Sequence, residues 1–254
     1  MVALTKTALV TGAAKRIGRA IAISLAREGY DIGVHYGQSK AEALDLVEVL
    51  KAQGAKAYAL QADLSDVATV AGLIDRATEA LGPLNVLVNN ASVFSDDRAR
   101  SLTIESFSTH INTNLLTPIL LGQAFAAQPH LPEGASILNM IDQRVLKPSP
   151  PFFSYGLSKA GLWHATRTLA QDLAPRIRVN AIGPGPTLKS IHQSEKDFER
   201  EARSTLLQKP TSPEEVAAAV IFLLGAPSVT GQMICVDSGQ HLGWKTLDMF
   251  DFQS

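Results

Sequence analysis

Cysteine, aromatic residues and net charge are all scarce in this chain of 254 residues: one Cys, 6% Phe, Trp and Tyr together, and a formal charge of −1 at pH 7. The lone Cys235 excludes an internal disulfide and a cysteine-built zinc site, and it suits a reducing compartment. Near-neutrality leaves no electrostatic footprint for nucleic acid or an anionic membrane surface. No uncharged apolar run reaches the ~18 residues that would suggest a membrane span, and Met1 to Lys6 lacks the charged and apolar regions of a signal peptide. A cytoplasmic protein without nucleic-acid or membrane partners is expected. His35, His110, His130, His164, His192 and His241 form no cluster with ligand spacing, so no metal site is expected. Ser154 and Ser158 lack the Gly-x-Ser-x-Gly elbow of a hydrolase.

What the chain does have is an alternation of two hydrophobic periods. Short β-prone runs fall at 7–10, 31–36, 56–61, 86–88, 137–141, 178–182 and 233–236. Helical spacing occupies 17–29, 40–53, 66–81, 104–128, 152–173 and 213–224, the last opened by Ser212, Pro213 and Glu215 as a capping box. Strands alternating with long helices predict an α/β fold, a doubly wound and mostly parallel seven-stranded sheet with helices on both faces. No linker or composition shift divides it, so residues 1–254 are read as one domain. The irregular stretch opening at Gly183-Pro184-Gly185-Pro186-Thr187 predicts a substrate lid over about 185–210, with the charged run Glu195 to Arg203 as its solvated helix.

Ligands of such sheets bind beyond the carboxyl ends of the strands, which selects the residues that follow. After the first strand, Gly12 and Gly18 allow backbone amides and a helix N-terminus to approach a pyrophosphate, with Lys15 and Arg16 adding charge. The second strand ends in His35-Tyr36-Gly37-Gln38-Ser39-Lys40, with no carboxylate to repel a 2′-phosphate. That favours NADPH over NADH, with Arg16, Ser39 and Lys40 as candidates for the phosphate. In the helix at 152–173, Tyr155 and Lys159 stand about one turn apart. A lysine charge beside the phenol is expected to lower its pKa from ~10 and suit it to donate a proton. Asp142 lies thirteen residues before the tyrosine, and could serve as a local cap as well as a reactive group.

Thr11-Gly12-(x)5-Gly18, Asp63-Leu64, Asn89-Asn90-Ala91, Asn114, Tyr155-x-x-x-Lys159 and Pro184-Gly185 fall in the order and spacing of the short-chain dehydrogenase/reductase family, which the chain resembles over essentially its whole length. The resemblance implies a Rossmann fold. It further implies adenine contact by Asp63, with Leu64 beside it, and cofactor contact by Ile17, Asn90 and Ala91. A relay water would be held by Asn114, the proton donated by Tyr155, and the ribose bound by Lys159. Ile182 and Pro184 would flank the nicotinamide, with Gly185 and Thr187 beyond.

The family commonly has serine where this chain has Asp142. A carboxylate there would repel a substrate oxyanion by several kcal/mol in a partly desolvated site, whereas an amino-bearing heterocycle reduced at C=N would welcome it. Thr11 to Gly18, His35-Tyr36, Asn89-Asn90-Ala91-Ser92-Val93-Phe94 and Asp142 resemble the pteridine reductases within that family. This implies that Phe94 stacks on a pterin, that Ser92 and Arg16 contact pterin and phosphates, and that Asp142 with Tyr155 serves the ring nitrogens. Gln38 stands where those enzymes commonly have arginine, which weakens the phosphate site. The expected protein is an NADPH-dependent pterin reductase acting on a small heterocycle. Its alternatives are a carbonyl or imine reductase and a non-catalytic NADP-sensing protein. Family resemblance also implies a homotetramer, with the tail Trp244 to Ser254 reaching a neighbouring subunit.

Overall fold

The computed structural model describes residues 6–190 and 193–244. Seven strands, β1 (Lys6–Val10), β2 (Tyr30–Tyr36), β3 (Ala57–Gln61), β4 (Val86–Asn89), β5 (Ala135–Met140), β6 (Ile177–Pro184) and β7 (Met233–Val236), form one sheet in the order β3-β2-β1-β4-β5-β6-β7. Every pairing is parallel, so the sheet is wholly and not mostly parallel. The chain winds outward from β1 to β3, then returns to lay β4 on the other side of β1. The crevice between the carboxyl ends of β1 and β4 is therefore the topological switch point, where such folds bind nucleotides.

Side chains alternate between two cores because strand residues point alternately to opposite faces. Ala8, Val10, Val86 and Val88 meet Ile21 and Leu25 of α1 (Arg16–Arg27), Leu46 and Leu50 of α2 (Lys40–Ala52) and Val220 of α8 (Pro213–Leu224). Leu9, Leu87 and Ile137 face the other way. They pack on Leu73 and Ile74 of α3 (Val67–Leu81), Phe125 of α5 (Thr117–Ala126) and Ala170 of α6 (Phe153–Asp172). Each fully buried Leu or Phe contributes about 1.5–3 kcal/mol of transfer free energy, so both layers clamp the sheet that aims the loops.

The continuous helix expected over 104–128 is in fact broken into α4 (Ile104–Ile111), a π-helical turn at Asn112–Leu116, and α5. One extra residue per turn re-aims the side chains there, and Asn114 lies at its centre. Such insertions are frequent at functional sites, and hydrophobic periodicity does not announce them. The stretch expected to act as a lid contains α7 (Glu195–Arg203), opened by a Ser194–Asp197 capping box, and α8 begins with the expected Ser212–Glu215 box. Residues 1–5, 191–192 and 245–254 lie outside the described residues, and with them the expected reach of the tail.

Candidate active site

The turn after β1 is built to be close and rigid. Gly12 adopts φ +61°, and its N–H donates to His35 Nδ1 at 3.0 Å. The His35 Nε2–H in turn donates to the Ala62 carbonyl at 3.2 Å, and burial pushes the imidazole down to about 4, so it is neutral. Asn90 reaches from the end of β4 and donates to the carbonyls of Thr11 (2.8 Å) and Gly12 (3.1 Å). A Cβ on Gly18 would collide with the Gly12 carbonyl and stand 2.5 Å from Asn90 Nδ2. Lys15 at the N-cap of α1 supplies no side-chain cap, so the first-turn N–H groups face outward without one.

The result is a cleft of about 390 Å³ lined by Gly12, Arg16, Ile17, Leu64, Ala91 and Thr113, among others. Thr113 Oγ1 is buried here without a hydrogen-bond partner, as is expected of a wall that meets a polar ligand. A glycine cradle, exposed helix amides and an orphaned hydroxyl fit a dinucleotide. The remaining candidates divide by environment. Ser39 is the N-cap of α2 and Lys40 is exposed beside it, and neither lines this cleft. Tyr36 is packed into the core, 9% exposed. Asp63 accepts from Ser65 N and Oγ, which hold its carboxyl below the usual range.

Tyr155 and Lys159 lie buried on α6, and the Tyr155 hydroxyl donates to Asp142 Oδ2 at 2.8 Å. Asp142 follows β5 and does two things at once. Its Oδ1 caps a 3₁₀ turn (Gln143–Val145) by accepting from Arg144 N at 2.8 Å, and its Oδ2 takes the phenol. Burial raises the Asp142 pKa, against the pull of Arg144. The expected lowering of the phenol's pKa is reversed. Burial first, and then the Asp142 charge, hold Tyr155 well above its ordinary value. Lys159 is anchored on the Met140 carbonyl at 2.8 Å, 5.7 Å from the phenol ring centre, and burial brings it down to about 8. Neutralising pressure thus acts on all three groups, and the proton is held on the Tyr155–Asp142 axis.

Asn114 fastens the loop after β4. Its Oδ1 accepts from Val93 N (2.8 Å) and Ser92 Oγ (3.1 Å), while Nδ2 donates to Val93 O (2.9 Å) and Ser158 Oγ (3.2 Å). Next on that loop, Phe94 stacks on Phe152 with centroids 4.1 Å apart and meets the edge of Tyr155 at 4.7 Å. Arg144 lies over the other ring of the pair, 5.2 Å from the Phe152 centre. A second cleft, about 260 Å³, opens between these groups and the lid, bounded by Phe94, Asp142, Gln143, Thr187, Phe198 and Glu201 among others. Gln143 Oε1 is buried in its wall with no partner.

Arg16 lines the first cleft, in a left-handed backbone conformation (φ +56°), and donates to Leu188 O at 3.0 Å and Lys189 O at 3.1 Å, Leu188 being part of the second cleft's lining. It therefore ties the glycine turn to the segment that follows β6. Pro184, Gly185 and Thr187 continue β6 into that segment. A Cβ on Gly185 would meet the Asp237 backbone at 2.6 Å. Thr113, Gln143, Arg144 and Phe152 were not singled out from the sequence. They carry no motif, and only the fold brings them to the clefts.

The family model described as enoyl-(acyl carrier protein) reductase matches residues 12–241. The chain belongs to the short-chain dehydrogenase/reductase family and is an oxidoreductase of that family. It is 38% identical to an uncharacterized oxidoreductase of Methylorubrum extorquens, over 92% of this chain and 97% of the relative. It is 34% identical to the 3-oxoacyl-[acyl-carrier-protein] reductase FabG of Staphylococcus aureus, over 94% and 99%. Among solved structures it is similar to FolM alternative dihydrofolate reductase 1 of Brucella canis, complexed with NADP, at 44% identity, TM-score 0.92 and 98% coverage of both chains.

Proposed function

We propose that this protein is an NADPH-dependent reductase of a C=N bond in a dihydropterin or dihydrofolate ring. The observation that carries this reading is the Asp142 carboxyl, hydrogen-bonded to Tyr155 on the wall of the substrate cleft. A carboxyl at that place accepts from ring N–H and amino groups and, in its protonated form, refills the phenol as the ring nitrogen takes a proton. The similarity to a dihydrofolate reductase complexed with NADP supports both substrate class and cofactor.

NADPH, when bound, supplies the hydride. Gly12, Gly18, the α1 amides and Thr113 would hold it, with Arg16, Ser39 and Lys40 as the candidates for its phosphates. Tyr155 gives its proton to the ring nitrogen, and because a phenolate beside a carboxylate is disfavoured, protonated Asp142 passes its own proton to the Tyr155 oxygen. Lys159 keeps positive charge behind the phenol, and Phe94, backed by Phe152, lies on one side of the flat heterocycle. Assembly as a homotetramer in the cytoplasm belongs to this reading, supported by exposed Ile104, Phe107 and Leu157 on α4 and α6. Among the described residues no helix is long and apolar enough to cross a membrane.

NADPH oxidation followed with dihydrobiopterin, dihydromonapterin and dihydrofolate tests the assignment. Turnover of none of them, beside good turnover of ketones or aldehydes, sinks it. That outcome would favour a carbonyl reductase, the second reading supported by the likeness to FabG.

A further inference from the structure

The N-cap of helix α6 is Phe152, a left-handed residue (φ 59°) whose side chain offers no cap. The first N–H groups of a helix still need acceptors, and here a distant loop provides them. Phe152 N donates to Asp96 Oδ1 (3.2 Å), Phe153 N to Asp97 O (3.1 Å) and Ser154 N to Asp97 Oδ1 (2.9 Å). The Ser154 hydroxyl donates to Asp97 Oδ2, which also accepts from Ser106 Oγ at 2.9 Å.

His110 completes the cluster. Ser95 N–H donates to its Nε2 at 3.2 Å, so the ring proton sits on Nδ1, facing Ser106 O (2.9 Å) and Ser154 Oγ (2.7 Å). Asp97, His110 and Ser154 are 5%, 1% and 0% exposed, and each finds a partner. A buried network of this kind is stiff, because any shift leaves a costly unpaired group. Its two ends matter. Three residues before Asp97 is Phe94 of the substrate wall, and one residue after Ser154 is Tyr155; the two rings meet at 4.7 Å. A carboxylate at a helix N-terminus is also favoured by the helix dipole.

We propose that Asp97 is a positioning residue, which locks the N-terminus of α6 to the loop carrying Phe94 and so sets the Tyr155 hydroxyl against the substrate. It touches neither substrate nor cofactor cleft. The role rests on Tyr155 as proton donor and on no particular substrate.

The test is Asp97→Asn, assayed with whichever substrate the enzyme turns over. The carboxamide presents a donor where Ser154 and Ser106 need an acceptor, so the helix start shifts. A displacement of this kind is expected to lower kcat by about tenfold or more, to enlarge the solvent deuterium isotope effect on kcat, and to leave NADPH affinity within about twofold. A merely structural role would lower the folded fraction and leave the isotope effect and KM unchanged, which would overturn the proposal; so would a kcat within about twofold of the parent. Ser154→Ala keeps the backbone cap and removes only the hydroxyl. If Asp97→Asn does not fold, an unchanged isotope effect in Ser154→Ala overturns the proposal, and an enlarged one upholds it. Full turnover by Tyr155→Phe would instead remove the proton-donor assignment itself.

Discussion

The Tyr155 hydroxyl and Asp142 Oδ2 are 2.8 Å apart; burial strengthens the hold of both on a proton, the Asp142 charge strengthens that of Tyr155 further, and the phenol's hydrogen bond offsets part of the rise at Asp142. A phenol paired with a carboxyl in a buried site donates only when the carboxyl can refill it. The donating state is therefore the one with Asp142 protonated. The Asp142 pKa is raised, so turnover is expected to be highest on the acid side of that raised value and to be lost as pH rises through it. The kcat/KM–pH profile checks this. In Asp142→Asn the high-pH loss should disappear along with most of the rate; an unchanged profile would separate Asp142 from the proton path.

Replacing Tyr155 with Phe removes the donor oxygen and leaves the ring packed on Phe94. A general acid is worth about 10²–10⁴ in rate, and a loss of that size is expected. NADPH binding, measured by fluorescence titration, should be retained, because the Gly12–Gly18 cradle and Thr113 are untouched. Loss of binding together with rate would make the hydroxyl structural.

The alternation of periods showed the sheet, and most element ends fall within a residue or two of their expected places, as with α8 at Pro213–Leu224. What stayed hidden depended on contacts between distant residues. The π turn at Asn112–Leu116 interrupts a hydrophobic pattern that runs on without a break. The sign of the Tyr155 shift reverses because burial outweighs a lysine that the spacing made conspicuous, while Met140 O claims its ammonium. Asp97 reaches Ser154 across 57 positions of sequence, so no local signal marks it. Asp142 was legible as a departure from a familiar serine, yet only the fold shows it acting as cap and proton partner together.

His35 should make folding sensitive to acid. Its folded pKa of about 4 lies below the ordinary 6.5, so the unfolded chain binds more protons between these values. Stability from this group is thus complete above about pH 6.5 and is lost as pH falls toward 4, by on the order of 3 kcal/mol. Urea unfolding at pH 4.5 and 6.5 measures it. In His35→Gln the difference between the two pH values should shrink; if it does not, other groups account for the acid sensitivity.

Gly18→Ala places a methyl against the Gly12 carbonyl and Asn90 Nδ2. Backbone cannot step aside as a flexible side chain does, so the turn must open. Overpacking of this kind costs about 1–3 kcal/mol, and if it falls on the cradle the NADPH dissociation constant rises about tenfold or more. Isothermal titration that returned the parent constant would show that the turn is not part of the cofactor site.

Arg16 carries two expectations that separate its roles. Its guanidinium holds the carbonyls of Leu188 and Lys189 while its backbone belongs to the glycine turn. Arg16→Gln shortens the reach and removes the charge, so the start of the lid loses its tether. Trypsin should then cleave after Lys189 faster than in the parent, in the cofactor-free protein. If the same guanidinium also meets the 2′-phosphate, the KM for NADPH should rise while that for NADH stays nearly constant, since only NADPH carries the phosphate charge. Faster cleavage with an unchanged NADPH-to-NADH ratio would leave Arg16 as a lid tether alone and pass the phosphate to Ser39 and Lys40. An unchanged cleavage rate would mean that the lid is held by its other contacts, such as the Lys189–Glu195 pair at 3.1 Å.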